Sequence, residues 1–466
     1  MCRIFRHYIS KNLLVLGLAE IFILLISIYL SASLQLLDFQ QNNTTDAQYA
    51  QVLIATLIFA GVMFVAMTVM GLYQCVLRIR LQGLLLRVGM SFLLGLVLLA
   101  GVFHLLPGYF VGARVFGVAL AGACAGIILC RLCFQHIDTR PRRTLVYGVG
   151  QKALQIQNIR RKSDYNGVSI IGFVAASNCP RLVDAAKVLT VDTTLGDLAS
   201  RYAADEIVMA LDDQRNSLPD ADIQQHKRLG IDIIDDTTFY ERQFGKISIN
   251  SLRPSNVLCT DGFSLALARA SSSGKRAFDI VASGLMFIAT LPIMLLTAVT
   301  ILFVSGGRGT VIYRQVRVGR NGEPFQMYKF RSMCEDAEGD GKAHWAAVND
   351  DRVTRVGKFI RATRIDELPQ LFNVLLGDMS FVGPRPERSH FVNQLQEIIP
   401  YYALRHHVKP GITGWAQICF PYGASVADAR EKLQYDLYYL KNYSLFLDLM
   451  ILIQTVQVIL WRKGSR

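Results

Sequence analysis

The chain has 466 residues, with 49 lysines and arginines against 36 aspartates and glutamates, giving a formal net charge of +13. It is 52% hydrophobic with a mean hydropathy of +0.31. This argues against an ordinary soluble domain and directs the positive charge toward anionic lipid or phosphorylated substrates. Without a zinc finger, RNP pattern or basic zipper, nucleic acid is set aside as a partner. The nine cysteines are scattered, which fits thiols of a reducing compartment rather than a disulfide framework.

Four apolar stretches open the chain, at about residues 13–34, 52–73, 84–106 and 111–133. Each is near the ~20 residues that a membrane-crossing helix needs. Arg3, Arg6 and Lys11 precede the first, and Arg78, Arg80 and Arg87 lie around the second turn. Arg131, Arg140, Arg142 and Arg143 follow the fourth, whereas the first outer loop carries no lysine or arginine. The positive-inside rule then puts both ends of a four-helix transmembrane bundle, residues 1–136, on the cytoplasmic side. Glu20 within the first stretch is either a functional acid or a paired one. Cys130 and Cys133 have Cys-x-x-Cys spacing but no second pair, so plain helix packing is expected of them.

Residues 137–262 alternate strand-like runs ("TLVYGVG", "VSIIGFV", "DEIVMAL", "GIDIIDD") with helix-compatible segments, which predicts a Rossmann-like parallel sheet covered by helices. Gly148-x-Gly150-x-x-Ala153 is a weak dinucleotide fingerprint. The second strand runs into Val174, Ala175 and Ala176, with no acid to hold a ribose, so no bound cofactor is expected. The alternative is that the two glycines only make a tight strand–helix turn.

A polar, small-residue linker at 263–274 precedes the last domain, residues 275–466. An apolar run at about 277–304 is long enough to cross a bilayer, but Pro292 interrupts it and favours a bend. Lys275 and Arg276 before the run, and Arg308, Arg314, Arg317 and Arg320 after it, would all stay cytoplasmic if the helix entered and returned. The reading is therefore a monotopic, α-rich domain with a re-entrant helix, and Lys275, Arg276 and Pro292 at the membrane interface. Farther on, Lys329 and Arg331 alternate with Tyr328 and Phe330 along a predicted strand, which puts the two cations on one face.

The run 361–387 concentrates the chemistry. Adjacent Asp366 and Glu367 stand just before Pro369, a residue suited to a first helical turn. Arg364 lies beside them, and Arg385 follows in "GPRPE". An ionised carboxylate serves as nucleophile or metal ligand, and arginine suits phosphate. Two unit charges ~4 Å apart at an effective dielectric near 20 repel by about 4 kcal/mol. A carboxylate attacking a diphosphate therefore needs cations around it. Adjacent helical residues point about 100° apart, so one carboxylate as nucleophile and the other as Mg²⁺ ligand is the economical division.

From about Lys275 to Lys463 the chain resembles the bacterial sugar-transferase family, the polyprenyl-phosphate hexose-1-phosphate transferases that start exopolysaccharide and O-antigen assembly. The matching segments are "KRAFDI", "YRQVRVGRNGEPFQMYKFRSM", "RIDELPQLFNVLLGDMSFVGPRPE", "KPGITGWAQ" and "YDLYYLKNYSLFLDLMIL". With the membrane helices and Rossmann-like domain ahead, the whole resembles the large form of the family. The tail "PYGASVADAREKLQYDLYYLKN" is similar to the branch associated with exosortase-type polysaccharide systems.

The resemblance implies a monotopic re-entrant helix and a two-step reaction at the cytoplasmic face of the bacterial inner membrane. Asp366 would attack the β-phosphate of a UDP-sugar and expel UMP. Undecaprenyl phosphate would then take the sugar phosphate from the aspartyl intermediate. Glu367 would hold Mg²⁺, Lys329, Arg331, Arg364 and Arg385 would contact phosphates, and Asp378 and Glu387 would touch substrate or orient arginines. Many relatives continue "GWAQ" with an asparagine–glycine–arginine stretch, and this chain departs there, at 418–425. The final apolar helix, with Asp448 inside it, is read as a surface-lying or packing helix. Dimerisation, lipid positioning or regulation is left for the N-terminal parts. The competing readings are a membrane-bound nucleotide-sugar dehydratase and a non-catalytic platform in which Asp366 and Glu367 cap a helix. The dehydratase would need a Tyr-x-x-x-Lys pair, and none occurs in the chain.

Overall fold

The computed structural model describes residues 2–4, 7–9, 11–38, 46–73, 81–136, 141–158, 167–175, 180–189, 195–212, 231–252, 265–307, 309–334, 352–420, 423 and 425–460. Arg78, Arg80, Arg140, Arg308 and part of the divergent stretch 418–425 lie outside the described residues. The chain divides into two compact units, Met1–Ile4 with Tyr8–Phe239, and Phe5–His7 with Tyr240–Arg466.

The first unit holds helices α1 (Lys11–Asp38), α2 (Asp46–Val69), α3 (Leu81–Leu105) and α4 (Ala113–His136). α1 packs on α2 and α4, and α3 packs on α2 and α4. Leu24, Ile28, Phe59, Met63, Ala119 and Ile127 meet in a shared core. Their outer faces are apolar too: Leu18, Phe22, Leu57, Leu93 and Leu129 are exposed, a pattern suited to helices in lipid rather than in water. All four are long and apolar enough to cross a membrane. Glu20 is fully buried and paired, with Arg131 Nε at 2.6 Å and Nη2 at 2.9 Å. Arg131 also donates to the Leu72 carbonyl at 2.8 Å. Such pairing is what a charge needs away from water.

Beyond α4, strands β1 (Arg142–Tyr147), β2 (Val168–Val174), β3 (Val188–Leu189), β4 (Glu206–Met209) and β5 (Asp232–Asp235) form one sheet. Its order is β3-β2-β1-β4-β5, and every pairing is parallel. Every residue of β4 is buried, as strands covered on both faces require. Helices α5 (Gln151–Gln157) and α6 (Leu195–Arg201) belong to this layer. At the glycine turn, Gly148 has φ +136° and lies against the Ala210 carbonyl. Asp212 accepts the backbone N–H groups of Gln151 at 2.8 Å and Lys152 at 3.1 Å. Two of the donors at the start of α5 are thus satisfied from within the domain.

Helix α7 (Asp236–Phe244) leads into the second unit, which begins at Tyr240. Helix α8 (Leu265–Val304) runs 40 residues with Pro292 inside it. The polar stretch read as a linker is therefore helical from Leu265, and the helical run continues through Pro292. Lys275, Asp279, Ala282 and Phe287 of α8 face the unit's main core. Past the proline, Ile301 packs with Phe330 and Ile360. Between these anchors Ile288, Leu295 and Leu296 are exposed.

A hairpin follows, β6 (Ile312–Val318) antiparallel to β7 (Pro324–Phe330). Helix α9 (Arg355–Ala362), a 3-10 turn (Ile365–Glu367) and helix α10 (Gln370–Leu376) come next. Strand β8 (Ser380–Val382) pairs in parallel with β9 (Gly411–Thr413), Ser380 opposite Gly411 and Val382 opposite Thr413. Helices α11 (Ser389–Ile398), α12 (Trp415–Cys419), α13 (Val426–Lys441) and α14 (Leu445–Leu460) complete the unit. Met327, Leu371, Val374, Phe381, Tyr438 and Leu447 share its core. α14 is a packing helix: Leu447 and Ile451 are fully buried, and Asp448 pairs with Lys275 at 3.0 Å.

Candidate active site

The carboxylates do not ride on a helix. Asp366 and Glu367 occupy the 3-10 turn between α9 and α10, and Pro369 stands at the head of α10. Neither carboxylate caps this turn or α10 through a side-chain hydrogen bond. Arg364, just before the turn, holds φ +59°, a left-handed backbone that costs about 1–2 kcal/mol outside glycine. In the turn that follows, both acid side chains are largely buried.

Glu367 is the electrostatic centre. Its Oε1 receives Arg385 Nη2 at 3.1 Å, Lys329 Nζ at 3.3 Å and Arg364 Nη1 at 3.4 Å. Burial alone would raise its pKa, but Arg385, Lys329 and Arg364 overcome it and hold it at about 2. Asp366 is the opposite case. It is 7% exposed, and its buried Oδ1 has no hydrogen-bond partner among the described residues. Burial, then the Glu367 charge, raises its pKa against Lys329, Arg361 and Arg364. Two adjacent carboxylates are thus driven apart: one held low by three cations, the other desolvated with an unsatisfied oxygen.

The surrounding elements set this geometry. β7 delivers Lys329, while Tyr328 turns to Phe372 and Phe330 enters the core. Arg331 follows the strand end, its N–H bonded to the Val311 carbonyl. The paired strands β8 and β9 fix the loop that carries Arg385. Gly383 donates to the Thr413 carbonyl at 2.9 Å and Gly411 to the Pro384 carbonyl at 3.0 Å. A Cβ on Gly383 would fall 2.3 Å from the Lys409 carbonyl oxygen, so this backbone approach requires glycine.

Beneath the loop, Arg405 bonds Asp436 through Nε at 3.0 Å, Tyr402 at 3.0 Å and the Arg385 carbonyl at 3.1 Å. Arg385 Nη1 also reaches Gln417 Oε1 at 3.4 Å.

The turn therefore brings together Asp366, Glu367, Lys329, Arg364 and Arg385. Glu387 Oε2 lies 3.8 Å from Arg317 Nη1. Asp378 meets Asn373 Nδ2 at 3.5 Å. Arg276 closes the end of α10 by donating to the Val374 and Leu375 carbonyls at 2.6 and 2.7 Å. Lys275, expected at a membrane interface, is instead buried. It donates to the Val382 carbonyl and the Tyr439 hydroxyl, both at 2.7 Å, because Asp448 offers it a counter-charge inside. Pro292 is exposed on α8. Sequence reasoning missed Arg405, Asp436 and Gln417, whose positions carry no signal beyond membership of charged or quoted motifs. No group of three His, Cys, Asp or Glu able to hold a metal occurs among the described residues.

Comparison with known proteins places the match within the second unit. The bacterial sugar transferase profile matches residues 270–462. A UDP-N-acetylgalactosamine-undecaprenyl-phosphate N-acetylgalactosaminephosphotransferase of Aeromonas hydrophila is 50% identical over 192 residues, 41% of this chain and 45% of that protein. A UDP-glucose:undecaprenyl-phosphate glucose-1-phosphate transferase of Klebsiella pneumoniae is 47% identical over 184 residues, 39% of each chain. The chain thus spans under half the length of these two relatives. An uncharacterized sugar transferase of Haemophilus influenzae is 30% identical over 352 residues, 70% of each chain. That match reaches well beyond the catalytic segment, and the chain belongs to the bacterial sugar transferases.

Proposed function

We propose that this protein transfers a hexose-1-phosphate from a UDP-sugar to undecaprenyl phosphate, releasing UMP, as the initiating step of exopolysaccharide synthesis. The observation that carries the reading is the contrast at the turn: a buried Asp366 with an unpartnered Oδ1, beside a Glu367 anchored by three cations. The donor and acceptor classes are those after which the Aeromonas and Klebsiella relatives are named. Those names differ in the sugar, so glucose is the first donor to test and N-acetylgalactosamine the second.

In the first step an Asp366 oxygen bonds to the β-phosphorus while its bond to the bridging oxygen breaks. UMP leaves with that oxygen and its electron pair. In the second step a phosphate oxygen of undecaprenyl phosphate attacks the same phosphorus and the Asp366 carboxylate is released. Burial favours this nucleophile, since a desolvated carboxylate of raised basicity attacks more readily once ionised. Lys329, Arg364 and Arg385 offset the approach of like charges. All three cations meet the same Glu367 oxygen, Oε1, and Mg²⁺ takes one or two carboxylates together with substrate phosphates rather than an all-protein cage. Glu367 would hold it, and the ion would supply neutralisation of the diphosphate.

The packing of α8 supports a re-entrant helix on the cytoplasmic face. Segments on both sides of Pro292 rest on the same catalytic unit, whereas a straight span would carry one of them across ~30 Å of hydrocarbon. The four N-terminal helices then anchor the protein in the inner membrane. The test is incubation of purified membranes with undecaprenyl phosphate, Mg²⁺ and a panel of UDP-sugars. Lipid-dependent turnover that releases UMP from one donor beyond one equivalent per active site, absent in Asp366→Asn, is expected; UDP in place of UMP would reject the reaction.

A further inference from the structure

The segment after α7 lies outside the residues matched by the sugar transferase profile, 270–462, yet it is built into the catalytic unit. Ile247, Ile249 and Leu252 are buried in its main core, at 1%, 5% and 9% exposure. The Ile247 N–H donates to the Gln434 carbonyl of α13 at 3.0 Å. Lys246 pairs with Glu431 at 2.6 Å, and Arg430 donates to the Asn250 side chain. The Gly245 carbonyl accepts the Trp415 indole N–H at 2.7 Å. Gly245 has φ +60°, and a Cβ there would lie 2.8 Å from Trp415 Cζ2, so both the turn and the ring contact call for glycine.

Trp415 opens α12, two residues before Gln417. The Gln417 Oε1 accepts from Arg385 at 3.4 Å, and its buried Nε2 has no hydrogen-bond partner among the described residues. A buried amide donor left open beside a phosphate-type arginine is a costly arrangement unless a substrate oxygen completes it. We propose that residues 245–252 form a positioning strap of the active site, holding Trp415 so that α12 presents Gln417 and Arg385 together to an oxygen of the UDP-sugar. Trp415 and Gly245 act through Gln417 and are positioning residues. The proposal rests on the transferase reading for its kinetic test, and one measurement stands apart from that reading.

The experiment uses the full chain and two substitutions. Trp415→Phe removes the indole N–H and keeps a ring against Tyr438, whose centroid is 5.9 Å away. Gly245→Ala adds the misplaced methyl. UMP release gives kcat and KM for the UDP-sugar, and hydrogen exchange follows the peptide containing 415–419. The expected result is a rise in KM of about fivefold, the worth of one neutral hydrogen bond, with a smaller change in kcat. Exchange through 415–419 should be faster in both variants. Unchanged KM with a lower kcat would mean a smaller folded fraction only, and would overturn the positioning role. If the wild-type chain releases no UMP from any donor, the transferase reading fails. The strap is then judged by exchange alone, and unaltered protection of 415–419 in Gly245→Ala overturns it.

Discussion

Replacing Glu367 with glutamine leaves Lys329, Arg364 and Arg385 gathered around a neutral oxygen. The carboxyl is held at about 2 against an ordinary 4.5, and each pH unit is worth about 1.4 kcal/mol. The gap corresponds to about 3 kcal/mol of folding stability, close to the cost of breaking a buried ion pair. Burial pushes Lys329 down in spite of Glu367, so part of the carboxylate's gain is offset and about 3 kcal/mol is the upper end. For a domain of this size that lowers the melting midpoint by roughly 6–12 °C.

The sign with pH is fixed. A depressed carboxyl contributes fully above 4.5, and its contribution is lost as pH falls from there toward about 2. Thermal unfolding of the detergent-solubilised protein at neutral pH and at stepwise lower pH reads both effects. Wild type should lose its advantage over Glu367→Gln across that acid window. A variant within about 1 °C of wild type at neutral pH would refute the claim that the three cations depend on this carboxylate.

Asp366→Asn should act in the opposite sense on stability, raising the melting midpoint while abolishing UMP release, because burial penalises the ionised aspartate. A lowered midpoint in that variant would contradict the desolvation argument. Arg405→Met should lower kcat/KM at least tenfold through the Arg385 loop and destabilise the fold by about 3–5 kcal/mol, since Asp436 would be left buried and unpaired. Restoring stability with the double change Arg405→Met and Asp436→Leu should not restore activity, and recovered turnover would assign Arg405 a purely structural part. Lys275→Met should destabilise the protein in detergent as well as in membranes. A loss confined to membranes would return Lys275 to an interfacial role.

How much was legible depends on the kind of signal. The alternation of apolar runs and helical segments in 142–235 carried the parallel sheet, because strands covered on both faces must read as continuous apolar runs. Asp366, Glu367 and Arg385 stood out because two acids before a proline within basic surroundings form a compact local pattern that can be read from adjacent residues. Their actual support did not stand out. Arg405 sits in a charge-rich run, and only its partner Asp436, 31 residues away, reveals that it is buried. Lys275 read as an interfacial cation for the same reason: charge patterning does not tell a solvated lysine from one matched by Asp448. The helical stretch 265–274 was hidden by serines and glycine, whose weak helix propensity was overridden. The strap at 245–252 was invisible because its contacts are with α12 and α13, far along the chain.

The most direct test of the two-step chemistry uses a UDP-sugar labelled in the sugar-linked β-phosphate, without lipid acceptor. The wild-type chain should release UMP and retain about one label per active site, discharged on addition of undecaprenyl phosphate. Asp366→Asn should retain none. Label retained equally by that variant, or UMP formed only when lipid is present and never with a labelled protein, would contradict an Asp366-linked intermediate.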